Sequence, residues 1–406
     1  MMNDKSLSRG EWYMSDQEQR PVIAFVTPGT FKVPSDYSSS VERVVDEVSR
    51  HLAEHASVYV LSKKTAGAAS LETVENVTHI RPVAQTTRAY QSAMLVWLQR
   101  HAPDLIQVEN RPSYVRRIKQ VCPHAQIWLS LHSITFLSQK HISKLALRRA
   151  LTAADRIVVN SRFLKMEVCR RVPGCRGKIV INHLGVDVDR FVSQWEPAER
   201  VKREAYKRKL GYADRQIVVY SGRLLPIKGV HHLLSIWPAV VKRYPRAMLL
   251  IIGSAYYGSS RRTTYVKRLY RLGRRTPKHV RFMSYCPYSE MPGYLAMADL
   301  VVVPSAKKEA FGLVVVEAMA AGASIIASRV GGIKEILQDG VNGRFVKPRR
   351  LRTELRHRIC ELLSDPDKRQ RMGRAGARIA RDSFTWIHTA DRQLEFYRRY
   401  APIFSN

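Results

Sequence analysis

The sequence predicts an α/β protein made of two doubly wound, Rossmann-like domains that face each other across a cleft, and three observations predict it. Short apolar runs rich in Val and Ile alternate with longer amphipathic stretches, the pattern of a parallel sheet covered by helices on both faces. The alternation occurs twice along the chain, and a polar, charge-rich segment separates the two series. At 406 residues a single core would be oversized. Two domains of roughly 200 residues are the default for such a length.

The first series places strands at 22–26, 58–61, 105–109, 127–131, 157–160 and 179–182, with helical stretches such as 40–53 and 145–153 between them. The second places strands at 217–221, 249–253, 280–284, 300–304, 324–328 and 344–346, separated by helices at 230–244, 312–321 and 353–363. Residues 187–212 are polar and contain Pro197, so the domain junction is expected there, between 1–200 and 201–385. Ligands of open α/β sheets bind beyond the carboxyl ends of the strands, which directs the search for chemistry to the interdomain cleft.

Composition narrows the function. A hydrophobic content of 45% rules against a mainly disordered chain. No window of about 18 uninterrupted apolar residues occurs, and the chain is polar through Arg20, so a cytoplasmic protein without membrane span or secretory signal is expected. Five cysteines at unrelated spacings fit a reducing compartment, and Cys169 and Cys175 lack the partners of a zinc site. The chain carries 68 Lys and Arg against 34 Asp and Glu, and the excess is uneven: 28 against 19 in residues 1–200, 40 against 15 in 201–406. Such a field attracts anionic lipid, acidic polymers, phosphorylated substrates and nucleic acid alike. Its densest part, 261–281, has nine cations and no acid, and reads either as a solvated helix face or as a docking surface for an anionic membrane or surface. With no recognition fold and no interleaved aromatic platform, a specific nucleic-acid partner is not expected.

Two segments carry chemistry. Ser221-Gly222-Arg223-Leu224-Leu225-Pro226-Ile227-Lys228-Gly229 follows the first strand of the second domain. Arg223 offers a planar fork and Lys228 a point charge, which together suit a diphosphate. The second segment runs from Glu309 through Ala310, Phe311, Gly312 and Leu313 to Glu317 and Gly322, after the strand ending near Pro304. Gly312 opens an apolar helix whose free N–H groups attract phosphate, while Glu309 and Glu317 can accept hydrogen bonds from sugar hydroxyls. Asp187-Val188-Asp189 imitates a metal-binding pair, but cations already serve the diphosphate and no metal is expected.

On these residues the chain resembles the retaining glycosyltransferases of family 4, which have the GT-B fold. Glu309 and Glu317 match the family's Glu, seven residues, Glu signature. Gly222-Arg223 with Lys228-Gly229 match its phosphate loop, and Gly331-Gly332 followed by Glu335 look like its glycine pair with the following acid. Asn110-Arg111-Pro112-Ser113-Tyr114, Leu129-Ser130-Leu131-His132 and the stretch from Tyr265 to Gly273 are similar to the spore coat protein SA branch. The resemblance implies a nucleotide-diphosphate sugar as donor substrate, no cofactor and no metal, with transfer at retained anomeric configuration to a glycan, protein or lipid acceptor. It gives Arg223, Lys228, Gly222 and the amides of Phe311, Gly312 and Leu313 to the donor diphosphate, Glu317 to the ribose, and Glu309 and His132 to the reacting sugar. It makes 1–200 the acceptor-side domain, 201–385 the nucleotide-sugar domain and 386–406 a helix returning to the first. Where the family commonly has a Gly-Gly pair on the acceptor side, Ser38-Ser39-Ser40 stands here, which restricts backbone approach and adds hydroxyls. The alternative reading is a non-catalytic GT-B component of the spore coat or surface that binds an anionic partner.

Overall fold

A computed structural model of the protein describes residues 20–37, 39–256, 261–283 and 286–404. Ser38, and Ser284 at the end of one expected strand, lie outside them. The first lobe is built on an eight-stranded sheet in which β1 (Val22–Val26) lies between β2 (Ser57–Leu61) and β5 (Leu105–Glu109). Beyond β2 lie β4 (Val77–Ile80) and β3 (Leu71–Val74); beyond β5 follow β6 (Gln126–Leu131), β7 (Arg156–Val159) and β8 (Ile179–Ile181). Every pairing is parallel except the β3–β4 hairpin. The second lobe has six parallel strands. There β9 (Gln216–Ser221) is flanked on one side by β10 (Ala247–Ile252) and β11 (Val280–Met283), on the other by β12 (Leu300–Val303), β13 (Ser324–Ser328) and β14 (Gly343–Val346). The strand order reverses at β9, so its loop and that of β12 open onto a crevice at their carboxyl ends.

The helices cover both faces. Those of the first lobe are α1 (Ser40–Leu52), α2 (Thr87–His101), α3 (Pro112–Val121), α4 (Lys144–Ala153) and α5 (Arg162–Arg171). The connection contains α6 (Pro197–Lys209), and the second lobe holds α7 (Val230–Arg243), α8 (Thr264–Gly273), α9 (Met291–Ala296), α10 (Leu313–Ala320), α11 (Leu351–Ser364) and α12 (Pro366–Ser383). The final α13 (Trp386–Tyr400) packs against α1, with Trp386, Leu394 and Tyr397 buried beside Val44, Val45 and Val48. The chain crosses between lobes twice at one place, where the Val186 amide donates to the Phe384 carbonyl.

Two local features go beyond the expected elements. The segment 187–212 contains a helix: Pro197 occupies the first turn of α6, where its missing N–H costs no hydrogen bond and its fixed φ suits a helix. The β3–β4 hairpin was absent from the expected strands, and its turn is made by Glu75 and Asn76 at φ 48° and 62°, the twist that two-residue hairpins favour. In the basic stretch, α8 buries Val266 and Leu269 and exposes Lys267, Arg268 and Arg271. Among the described residues no helix is long and apolar enough to cross a membrane.

Candidate functional site

A cleft of about 340 Å³ lies between the lobes, within the range of small-molecule sites. The first lobe contributes Ser40 and Arg43 at the start of α1 and His132 just after β6. The second contributes Gly222, Arg223 and Lys228 after β9, Tyr256 after β10, Tyr288, and Glu309, Gly312, Leu313 and Glu317 after β12. Residues from the two chemistry-bearing segments, separated by about 90 positions, thus share one wall because β9 and β12 are neighbours in the sheet.

Lys228 and Glu309 of this wall are paired. Lys228 Nζ donates to Glu309 Oε2 at 2.6 Å, and the Ser305 hydroxyl donates to the same oxygen at 2.9 Å. The backbone of Glu309 is held by a glycine turn. Gly331 has φ +55°, and a Cβ there would stand 1.8 Å from the Glu309 carbonyl oxygen, which accepts from the Gly332 amide at 3.0 Å. Gly312, at φ +109°, caps α10 with no side-chain cap on the first amides, and Gly312, Leu313 and Val314 line the cleft.

Glu317 sits in α10 with its carboxylate almost wholly buried, and Arg43 Nη1 from the other lobe donates to Oε1 at 2.5 Å. The Arg43 guanidinium lies 3.3 Å from the centre of the buried Tyr288 ring. Burial pushes the Glu317 carboxyl upward, and the Arg43 charge opposes that rise.

His132 is held on three sides. Its Nε2 lies 2.7 Å from Glu109 Oε2, its amide donates to Asn110 Oδ1 at 3.3 Å, and its carbonyl accepts from Asn160 Nδ2 at 3.3 Å.

Other residues of the sequence reading have different surroundings. Phe311, expected among the donor-binding residues, is buried behind the cleft wall with its ring 5.9 Å from that of His183, and it is not among the residues that line the cleft. Ser39 caps α1, accepting from the Val41 amide at 3.3 Å and donating to Glu42, so its hydroxyl is engaged and Ser40 is the serine that lines the cleft. Ser38 lies outside the described residues. Asp187 Oδ1 accepts from the amides of Asp189 and Arg190, both at 3.0 Å, which is a local turn. Glu335 ties the lobes together: it accepts from the Arg162 and Phe163 amides at the start of α5 and lies 3.0 Å from His183 Nε2. Burial alone would raise its carboxyl, but those hydrogen bonds hold it below the usual range. Arg43, Tyr288 and Glu109 were missed. Their partners are distant in sequence, although the position of Glu109 at a strand end, beside the noted Asn110-Arg111-Pro112, was a usable signal.

The chain is similar to known proteins along most of its length. A model of glycosyl transferases group 1 matches residues 202–379, and one of glycosyltransferase family 4 matches residues 41–190. The spore coat protein SA of Bacillus subtilis strain 168 is 30% identical over 377 residues, 93% of this chain and 99% of that protein. A GDP-mannose-dependent phosphatidylinositol monomannoside mannosyltransferase of Mycolicibacterium smegmatis is 31% identical over 262 residues, covering 63% of this chain and 65% of that protein. Anabaena HepE in complex with UDP-glucose has the same fold, with a TM-score of 0.74 at 21% identity, covering 93% of this chain and 99% of that one.

Proposed function

Because the chain belongs to the group 1 and family 4 glycosyltransferases, with their GT-B fold, we propose that it transfers a hexosyl group from a nucleotide-diphosphate sugar to a glycan, protein or lipid of the cell or spore surface, with retention at the anomeric carbon. The observation that carries this reading is the cleft wall itself. Two cations, the amino end of a helix and two carboxylates converge there from the carboxyl ends of adjacent strands.

In this reading negative charge grows on the diphosphate as the bond to the sugar breaks. Arg223, Lys228 and the first amides of α10 stabilise it more in the transition state than in the ground state, which is what accelerates the step. Lys228 must leave Glu309 to do so, and the released carboxylate then accepts hydroxyls of the transferred sugar. Glu317 keeps Arg43 on one oxygen and receives the ribose on the other. His132 faces the sugar from the first lobe, so the two half-sites work only with the lobes together. Positive side chains supply the counter-charge, and we expect no metal. The exposed cations of α8 suit an anionic surface carrying the acceptor, with the protein at the cytoplasmic face of a membrane or on the spore coat.

The test is release of nucleoside diphosphate from a panel of UDP-, GDP-, ADP- and dTDP-sugars, beside Glu309→Gln. Release from one donor that disappears in the variant supports the transferase. Silence across the panel, with no thermal shift by any of the nucleotides, would favour the non-catalytic surface component.

A further inference from the structure

His132 lies at the end of a chain of buried polar side chains that passes through the terminal helix. Asn182 Nδ2 donates to Gln393 Oε1 at 3.1 Å, and Gln393 Nε2 donates to Gln107 Oε1 at 3.2 Å. The Tyr397 hydroxyl donates to the same Gln107 oxygen. With its oxygen thus taken, the Gln107 amide must point its nitrogen at Glu109, and Nε2 donates to Glu109 Oε1 at 3.0 Å. The other Glu109 oxygen faces His132 Nε2 at 2.7 Å. All these residues except His132 are at most 4% exposed. Apolar side chains would fill such a place at lower cost, since every buried polar group must find a partner. An ordered, one-directional chain ending at a cleft histidine therefore asks for a role.

We propose that Glu109 is the positioning residue of His132, and that Gln107, oriented by Tyr397 and Gln393 of α13, fixes Glu109 in that task. The inference rests on the placement of His132 beside the sugar in the proposed transfer. A carboxylate only accepts, so Glu109 keeps the proton of the imidazole on Nε2 and leaves Nδ1 as the bare acceptor nitrogen. Nδ1 is buried and has no hydrogen-bond partner among the described residues, so the tautomer is set from the Nε2 side alone. The terminal helix thereby helps to orient the cleft from the far side of the first lobe, beyond its apolar packing on α1.

Glu109→Gln preserves shape and reverses the hydrogen-bond sense. The Gln107 N–H still needs an acceptor, so the new amide turns its oxygen to Gln107 and its NH₂ to His132, which forces the ring proton to Nδ1. Long-range ¹H–¹⁵N spectra of ¹⁵N-histidine-labelled protein, with His132 assigned from a His132→Ala sample, read the tautomer directly. We expect Nε2–H in the wild type and Nδ1–H in the variant. Turnover should fall by roughly 100-fold with the donor KM within about threefold, since a wrong tautomer costs carboxylate–histidine pairs up to about 10⁴-fold. Glu109→Asp should recover part of the turnover. If Glu109→Gln lowers the melting temperature too far, Tyr397→Phe provides the second variant, with a turnover loss of up to about tenfold from one hydrogen bond. An unchanged tautomer, or turnover of Glu109→Gln at the wild-type level, overturns the proposal. Wild-type turnover in His132→Ala also overturns it, while leaving the transferase reading intact. A wild type that releases nothing from any donor sinks the transferase reading, and the spectra still decide whether Glu109 sets the tautomer.

Discussion

Glu309→Gln and Lys228→Ala should separate the two halves of the donor. In the structure Lys228 Nζ and Glu309 Oε2 are 2.6 Å apart with side-chain exposures of 24% and 16%, so each is the other's partner until a donor arrives. A hydrogen bond to a charged group in such surroundings contributes about 1.5 to 3 kcal/mol, or about ten- to a hundredfold in rate or affinity. Glu309→Gln removes the charged acceptor for sugar hydroxyls, so turnover should fall by that factor. Affinity for the nucleoside diphosphate alone should not weaken, because Lys228 no longer has to leave a carboxylate before it reaches phosphate. Lys228→Ala should do the reverse to the product, weakening nucleoside diphosphate by about ten- to a hundredfold. Titration calorimetry with the diphosphate, beside steady-state release from the sugar donor, gives both numbers. Refutation would be Glu309→Gln with normal turnover and tenfold weaker diphosphate, which would put Glu309 on the nucleotide and not on the sugar.

Three further outcomes are expected. Gly331→Ala should lower the melting temperature and remove turnover together, because its left-handed φ costs about 1 to 2 kcal/mol and the new Cβ would strike the Glu309 carbonyl; normal turnover in that variant would detach the glycine turn from the site. Burial in α1 pushes the Glu47 carboxyl up to about 7 from an ordinary 4.5. The folded state then prefers it protonated, so its stability contribution is full below pH 4.5 and is lost as pH rises toward 7. Glu47→Gln should accordingly match the wild type at pH 4 and exceed it at pH 8, by at most about 3 kcal/mol in denaturant titrations. Turnover should survive exhaustive chelation; collapse in chelator with recovery in Mn²⁺ or Mg²⁺ would contradict a site that relies on Arg223 and Lys228.

Legibility in the sequence followed the range of the interactions. The central strands were readable because burial on both faces demands an apolar side chain at every position, as in β10, where all six residues are buried. The β3 strand was not, since it lies at an edge with Leu71 exposed and carries no such run. Pro197 was read as a break because a proline interrupts a helix interior and starts a helix equally well, and only the position of the first turn distinguishes the two. At the site, Arg223, Lys228, Glu309 and Glu317 stood out through local spacing around two strand ends. Arg43 gave no such cue: it resembles any cation on an amphipathic helix until the fold brings it to Glu317, 274 residues away.

The long-range pairs share a feature that composition alone conceals. Acids are outnumbered two to one in this chain, yet carboxylates recur where the lobes meet: Glu317 joins Arg43, Glu335 joins His183 and the α5 amides, and Glu167 joins Lys308 at 3.0 Å. In so cationic a molecule, two lobes of like charge repel, and carboxylates placed at the seam offset that repulsion where they are partly buried and weakly screened. Two of these acids, Glu317 and Glu335, belong to the segments that carry the chemistry or follow them directly. Glu317 lines the cleft, and Glu335 follows the glycine turn that holds Glu309. Joining the lobes and shaping the cleft wall therefore depend on the same elements, because the acids that bridge to the first lobe stand beside or directly after the segments that form that wall.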